Sequence, residues 1–296
     1  MELQQLRYFA KAAELGNFTR AAEACLVSQP SLSQQIIKLE QELGQPLFER
    51  LGRQVRLTEA GKLLKERVDQ VLTLLDDAQA RISDHPDEGR LVIAAIPSIA
   101  PYYLPGVLEG FRRTCPGAQL EVVEDVTQNS LRKLAEGEID LAILALPVHG
   151  THLHAESLFT EELLVVLPTG HPLAEKPRLA LKDLSEEPFV LLNDSHCLTQ
   201  STLSFCQQKK FQPIVTSRIS QLATLQELVT LGQGISLIPE MARRLDTSPT
   251  RVYRSLAGTK PTRTIALVWH QYRFQTQLFK RFVDWLKKHP QPGVPL

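Results

Sequence analysis

The spacing of apolar residues changes character once along this chain, and that change limits the folds open to it. Over the first 82 residues apolar positions recur every three or four places; from Arg90 onward they gather into blocks. Leu3, Leu6, Phe9, Ala10 and Ala13 predict a first amphipathic helix. Gly16-Asn17 breaks it, and Asn17 can cap a second helix, FTRAAEAC. After a turn at Leu26-Val27, Ser28 is a good N-cap for a third helix, and Pro30 fits its first turn, where a missing N–H costs little. Leu32, Ile36, Leu39 and Leu43 are expected to form its buried stripe. The run PLFERLGRQVRLT predicts two short strands around Leu51-Gly52. Thr58 then caps a long helix in which Leu64, Val68, Val71, Leu75, Ala78 and Ile82 follow at the spacing of a coiled-coil seam. A helix packed on its own domain would carry the same stripe. Its length, the lack of interior Pro and its end at His85-Pro86, before an acidic DEG linker, favour a dimerisation helix.

LVIAAIP and DLAILALP, by contrast, are near-continuous apolar strands, as expected where both faces of a sheet are covered. Helical segments YYLPGVLEGFRR and SLRKLAEG, strands AQLEVVE, ELLVVLP and TIALVWH, and the closing helix TQLFKRFVDWLKK alternate with them, which predicts an α/β domain. A length of 296 residues suits two or three domains. Lys plus Arg and Asp plus Glu are each 33, so net charge alone points to no polyanionic partner. Residues 1–67 hold ten Lys/Arg against eight Asp/Glu, an excess of two, with Arg50, Arg53 and Arg56 close together.

On the third helix Gln29, Ser31, Ser33, Gln34 and Lys38 fall largely off the apolar stripe, near an N-terminus formed by Ser28 and Pro30. Such groups suit phosphates and base edges in a major groove. A three-helix bundle with a merely solvated polar face fits the periodicity equally well. The tract AAEACLVSQPSLSQQIIKLEQELGQPLFER, followed by LTEAGKLL, resembles the DNA-binding domain of LysR-type transcriptional regulators, and the likeness runs over the whole chain. That resemblance implies a winged helix-turn-helix over residues 1–58 and a linker helix over 59–88. Over residues 89–296 it implies an α/β, two-lobed, periplasmic-binding-protein-like effector domain. The lobe crossings are placed near 161–166 and 264–269, giving lobe I as 89–161 and 268–296 and lobe II as 162–267. The implied partners are double-stranded operator DNA, a second or further copy of the chain as homodimer or homotetramer, and RNA polymerase if the regulator activates. Ser28, Gln29, Pro30, Ser31, Ser33, Gln34, Lys38, Arg50 and Arg53 would contact DNA.

Only four cysteines occur, and two lie nine positions apart in HCLTQSTLSFC. If that run is helical, nine steps place the Cα atoms about 13 to 14 Å apart on opposite faces. A disulfide tolerates roughly 7 Å, so bonding would require unwinding. Two buried, inert thiols are the plainer reading. His196, however, directly precedes Cys197, and an imidazolium there would depress the thiol pKa. Cys25 and Cys115 lack such a setting and read as structural. NDSHCLTQSTLSFC resembles the peroxide-sensing OxyR branch of the same family. The resemblance implies Cys197 as the peroxidatic thiol, Cys206 as the resolving one, and Ser98, Thr127, His196 and Arg263 around a peroxide or effector pocket. Ser98 and Thr127 would serve as helix caps just as well, and Arg263 as a surface ion-pair partner. One departure stands out: the branch commonly has Arg-Asp after HCL, where this chain has Thr199-Gln200. That removes a charge able to stabilise a thiolate.

Three functions compete on this reading. They are a regulator with a Cys197–Cys206 peroxide switch, a regulator binding a small organic metabolite between its lobes, and a thiol enzyme such as a peroxidase. The SQPSLSQQ helix argues against the enzyme. No GxGxxG, P-loop, HExxH or CxxC spacing is present, so no nucleotide or metal cofactor is expected, and His149, His152 and His154 read as loop residues. No apolar run reaches transmembrane length and no signal sequence opens the chain, so a cytoplasmic protein is expected.

Overall fold

The computed structural model describes residues 1–51, 54–82, 88–176 and 178–290, without the side chains of 50, 51, 54, 73, 76, 77 and 79–82. The chain divides into two compact units, the first Met1–Ser83 with Tyr272–Phe274 and the second Asp84–Gln271 with Gln275–Leu296.

The first unit begins with α1 (Leu3–Leu15), α2 (Phe18–Ala24) and α3 (Gln29–Leu43). Each break has a local cause. Gly16 takes the left-handed conformation at φ 60 that ends α1. The Asn17 side chain then accepts from the Thr19 and Arg20 amides, and Ser28 accepts from Ser31 N at 3.4 Å. Strands β1 (Phe48–Leu51) and β2 (Gln54–Leu57) pair antiparallel, with Phe48 opposite Leu57. They hang on α3 through Glu40, whose Oε1 accepts from Leu47 N at 2.7 Å and Phe48 N at 3.2 Å. Phe9, Phe18 and Phe48 meet at 5.2 and 5.4 Å between ring centroids and form the core with Leu32, Ile36 and Leu39. Leu43, expected in that stripe, is 41% exposed: it is the last residue of α3, a turn beyond Leu39, and Gly44 ends the helix there.

Helix α4 (Glu59–Ile82) starts where Thr58 Oγ1 accepts from Gly61 N at 3.0 Å and donates to Pro46 O at 2.7 Å. Gly61 allows the close approach, since a Cβ there would lie 2.2 Å from Leu47 O. The expected apolar seam divides in two. Leu64 and Val68 pack into the core of their own unit, joined by Leu72 from outside the seam, with Val68 2% exposed. Val71 and Leu75 are 42% and 37% exposed, and Leu74, also off the seam, is 58% exposed. The Ile82 side chain, the linker at 83–87, Gly52 and Arg53 lie outside the described residues.

The second unit opens with β3 (Gly89–Ala95), α5 (Ala100–Thr114), β4 (Ala118–Glu124), α6 (Thr127–Glu136) and β5 (Leu141–Ala145), β3 pairing parallel with both β4 and β5. Strand β6 (Leu153–Pro168) leads to β7 (Pro188–Leu192), α7 (Cys197–Gln208), β8 (Ile214–Ile219) and α8 (Leu222–Thr230). Then come β9 (Ser236–Pro239), α9 (Glu240–Leu245), β10 (Arg251–Arg254), β11 (Thr262–His270) and α10 (Gln277–Lys288). The large sheet runs β10-β6-β11-β5-β3-β4 with β9 also on β6, while β7 and β8 pair parallel in a sheet of their own.

Two apolar cores divide this unit into lobes. β6 serves both: residues up to Glu162 pair with β11, then Leu163–Val166 pair with β9 and Val165–Pro168 with β10. The expected boundary at 267/268 needs correction. Ile265, Ala266 and Leu267 already lie in the first core, because β11 pairs with β5 from Ile265 onward. β6 also starts nine residues before the expected ELLVVLP, so His154 is a strand residue opposite Trp269, its ring 4.5 Å from the indole. Among the described residues no group of three or more His, Cys, Asp or Glu could hold a metal ion, and no helix is long and apolar enough to cross a membrane.

The two halves of the α4 stripe should respond differently to truncation. Val68→Ala should destabilise the first unit by about 2 kcal/mol, for two lost methyl groups plus the space they leave. Val71→Ala should change it by less than about 0.5 kcal/mol. Urea denaturation of both variants measures the difference.

Candidate functional site

The second unit brings Cys197, Ser98 and Arg263 to one place. α7 begins directly after a turn at the end of β7, with His196 as its N-cap residue and Cys197 as its first helical one. Nothing in CLTQSTLSFCQQ interrupts a helix, and the His196 carbonyl accepts from Thr199 N at 3.1 Å and Gln200 N at 3.3 Å. The Thr199 hydroxyl donates 2.8 Å to Leu192 O in a buried bond. Leu198 enters the second core, while Cys197 packs against the first. The thiol therefore sits where the lobes meet, at the positive end of a helix.

Arg263 approaches from β11, only 2% exposed. Its Nε donates to Glu161 Oε1 at 2.8 Å, Nη1 to Ser98 Oγ at 2.7 Å, and Nη2 to Ser98 O at 3.0 Å and to Met241 Sδ at 3.9 Å. Arg263 and Ser98 also act on Cys197, both favouring its thiolate. Glu161 compensates the buried charge and also accepts from Met241 N at 3.0 Å. Arg263 is no surface ion-pair partner.

Glu161 and Met241 were invisible in the sequence. Glu161 stands opposite Arg263 in the antiparallel register of β6 and β11, a cross-strand pair formed between residues 102 apart. Such a pair becomes legible only when the strand register is known.

The electrostatics correct the expectation of an imidazole-activated thiol. Burial lowers the His196 pKa, so its ring is neutral at pH 7. The positive charge acting on Cys197 is that of Arg263. Burial nonetheless outweighs it: the Cys197 pKa is raised, with Arg263 and Ser98 pulling the other way. Cys206, 1% exposed, is pushed by burial to about 11. Both cysteines are free thiols in one unbroken helix. Thr199 and Gln200 do other work here: Thr199 holds the first turn to β7, and Gln200 Nε2 reaches Asp194 O at 3.3 Å.

Neither Ser98 nor Thr127 caps a helix. Ser98 lies in the turn after β3, and α5 begins at Ala100 without a side-chain cap. Thr127 is the first residue of α6, and its Oγ1 is buried without a hydrogen-bond partner. Ser98 follows the end of β3 by three residues, as Thr127 follows the end of β4, and these strands lie parallel with Ala95 opposite Glu124. Both hydroxyls therefore stand at the carboxyl edge of the sheet, where crevices in α/β folds collect ligands.

In the first unit the polar face of α3 is open. Gln29, Pro30, Ser31, Gln34 and Lys38 are exposed, and Ser33 is half-buried. Ser28 is exposed, with its hydroxyl used as the cap. Gln35, between them, is tied to Gln5 at 3.2 Å. Arg56 is exposed on β2; the Arg50 side chain and the whole of Arg53 lie outside the described residues.

Ser98→Ala should raise the Cys197 pKa further, because it deletes a donor that favours the thiolate. The midpoint of the pH profile for Cys197 alkylation should move to higher pH. The neutral-pH rate should fall about tenfold, the scale of one hydrogen bond to a charged group. Iodoacetamide labelling followed by peptide mass spectrometry reads both.

Comparison with known proteins matches both units. Residues 3–62 match the bacterial regulatory helix-turn-helix protein, lysR family, and residues 84–291 the LysR substrate binding domain. A hydrogen peroxide-inducible genes activator from Pectobacterium carotovorum is 34% identical over 294 residues, covering 98% of this chain and 97% of the relative. The Hca operon transcriptional activator HcaR of Escherichia coli is 35% identical over 272 residues, covering 91% and 92%. A full-length OxyR variant from Pseudomonas aeruginosa shares the fold with a TM-score of 0.77 and 30% identity, covering 98% of this chain and 94% of that one. With both units matched and full-length relatives above 30% identity, the chain belongs to the LysR family of DNA-binding transcriptional regulators.

Proposed function

We propose that this regulator senses hydrogen peroxide through Cys197 and Cys206 and reports it to operator DNA. One observation carries the reading: the buried Arg263 guanidinium is held by Glu161 and Ser98, and its charge favours the thiolate of Cys197. A pocket built to bind an organic acid would leave that cation a free edge for the ligand carboxylate. Here the charge is directed at a sulfur. A relative 34% identical is named for peroxide induction and another 35% identical is not, so overall identity does not separate the two sensor types.

In the proposed chemistry the Cys197 sulfur attacks one peroxide oxygen and the O–O bond breaks. The second oxygen leaves with the thiol proton as water, and Cys197 becomes a sulfenic acid. Arg263 and Ser98 stabilise the developing thiolate and leaving oxygen; Thr127, with its unpartnered hydroxyl, would orient the peroxide. His196, uncharged, contributes shape and a neutral ring rather than charge. Cys206 then condenses with the sulfenic acid, forming the disulfide and releasing a second water.

For the DNA-reading face, Gln29, Pro30, Ser31, Ser33, Gln34 and Lys38 would enter the major groove. Ser28 would sit at the helix start, with Arg50 and Arg53 on backbone phosphate. The exposed apolar residues of α4, Val71, Leu74 and Leu75, would pair with a second copy in a homodimer or homotetramer. Action in the cytoplasm, and contact with RNA polymerase if the regulator activates, complete the proposal.

A second reading is supported by the raised Cys197 pKa together with the unpartnered Thr127 hydroxyl. Both suit a small metabolite bound at the sheet edge, with the thiol as a bystander.

Stoichiometric peroxide should give a Cys197–Cys206 disulfide in the wild type and stop at Cys197 sulfenic acid in Cys206→Ser, both read by mass spectrometry. Unmodified thiols under those conditions would transfer the assignment to the metabolite sensor. On DNA, Gln29→Ala should alter sequence preference. Lys38→Ala should weaken binding to all sequences and lower the salt slope by about one if it meets a phosphate. Titrations at several salt concentrations check this.

A further inference from the structure

Glu161 and Arg263 stand opposite each other in the register of β6 and β11, and both are withdrawn from water. The Arg263 side chain is fully buried and that of Glu161 8% exposed. Glu161 Oε1 lies 2.8 Å from both Nε and Nη2, so the carboxylate covers one edge of the guanidinium. Its other oxygen accepts from the Met241 amide at 3.0 Å, which ties the side chain to the start of α9. The remaining nitrogen, Nη1, turns to Ser98 Oγ at 2.7 Å, and Arg263 and Ser98 together act on Cys197. One buried cation therefore serves two groups able to carry negative charge, a carboxylate and a thiol.

We propose that Glu161 and Cys197 compete for the Arg263 charge, and that Glu161, by occupying it, keeps Cys197 a thiol at rest. Glu161 is a positioning residue: it acts on the sulfur through Arg263 and sets how readily Cys197 ionises. A cation out of water needs a counter-charge. With Glu161 in place the cluster is neutral, and a thiolate adds a second anion for which no second cation is provided. Without the carboxylate charge the cluster is positive, and ionising Cys197 is what neutralises it. The raised Cys197 pKa, in which burial outweighs the pull of Arg263 and Ser98, fits the first arrangement. A thiol restrained in this way stays slow toward passing electrophiles, while the donors that serve its chemistry remain in place.

The titratable groups on the surrounding segments are neutral or have partners of their own. His196, beside Cys197, is uncharged at pH 7, and burial keeps Tyr102 on α5 protonated by raising its pKa. Asp194 before α7 pairs with Arg218, and Asp125 before α6 with Lys133 at 2.8 Å. Next to Glu161 on β6, Glu162 pairs with Lys260 at 2.8 Å, and Glu240 at the start of α9 pairs with Arg243 and Arg244. The balance at the sulfur is thus set by Glu161 and Arg263. It holds whichever effector meets the thiol.

Glu161→Gln keeps the shape and removes the charge. The midpoint of the pH profile for Cys197 alkylation by iodoacetamide should then fall by about one to three pH units, the range for a nearby charge. The neutral-pH rate should rise at least about tenfold. Labelling of Cys115 and Cys206 should not change, and Glu161→Asp, which keeps the charge, should return the midpoint toward the wild-type value. A charge exchange tests the same balance without alkylation. Cys197→Asp puts a fixed anion at the sulfur position, so alone it gives two anions to one cation and should lower the melting temperature. Glu161→Gln alone leaves the cation without a fixed anion and should lower it too. The double variant restores one anion to one cation and should melt above both single variants, which also decides the matter if Glu161→Gln does not fold alone. A Cys197 midpoint that stays or rises in Glu161→Gln overturns the inference. So does faster labelling of all four cysteines, which is general loosening, or a double variant that melts no higher than the more stable single one. Neither experiment uses peroxide, so the peroxide proposal and this one fail separately.

Discussion

A guanidinium taken out of water must place every N–H on an acceptor and meet a counter-charge, or the fold loses several kcal/mol. Arg263 bonds Glu161 on the neighbouring strand and Ser98 in the turn after β3, approaches Met241 at the start of α9, and acts on the thiol at the start of α7. Four separate segments of chain are thereby referred to one planar group. Because both crossing strands contribute, with Glu161 on β6 and Arg263 on β11, the site cannot form before the lobes do. Its geometry is a by-product of the same register that builds the sheet.

The thiol in this setting is under opposed influences. The helix N-terminus, Ser98 and Arg263 favour the anion, while burial disfavours it and prevails at rest. A thiol with a charge beside it and little water around it rests protonated. The second thiol is restrained more simply, by position in an unbroken helix and by depth. The two cysteines are close in sequence but held apart by the helix between them.

The first unit uses burial in a different way. Its aromatic centre of Phe9, Phe18 and Phe48 fixes three short helices and a two-stranded wing. The polar edge of α3 is then free of structural duty except for Ser28 as cap and Gln35 as a tie to α1. Along α4, the same apolar repeat first serves the unit's own core and then runs on uncovered.

Much of this was readable in the residues themselves. The caps at Asn17, Ser28 and Thr58 depend on local hydrogen bonds, so their positions follow from neighbouring sequence alone. The helix over HCLTQSTLSFC and its consequence for the two thiols likewise follow from local geometry. What the sequence could not contain was anything set by pairing across long separations. The early start of β6 and the Glu161–Arg263 pair both depend on strand register. The same holds for which group charges the thiol. His196 is adjacent in sequence but neutral in its buried seat, whereas Arg263, 66 positions on, is adjacent in space. Local propensity decides helices and caps within a few residues; electrostatic influence falls off with distance in three dimensions, and only the folded sheet sets those distances.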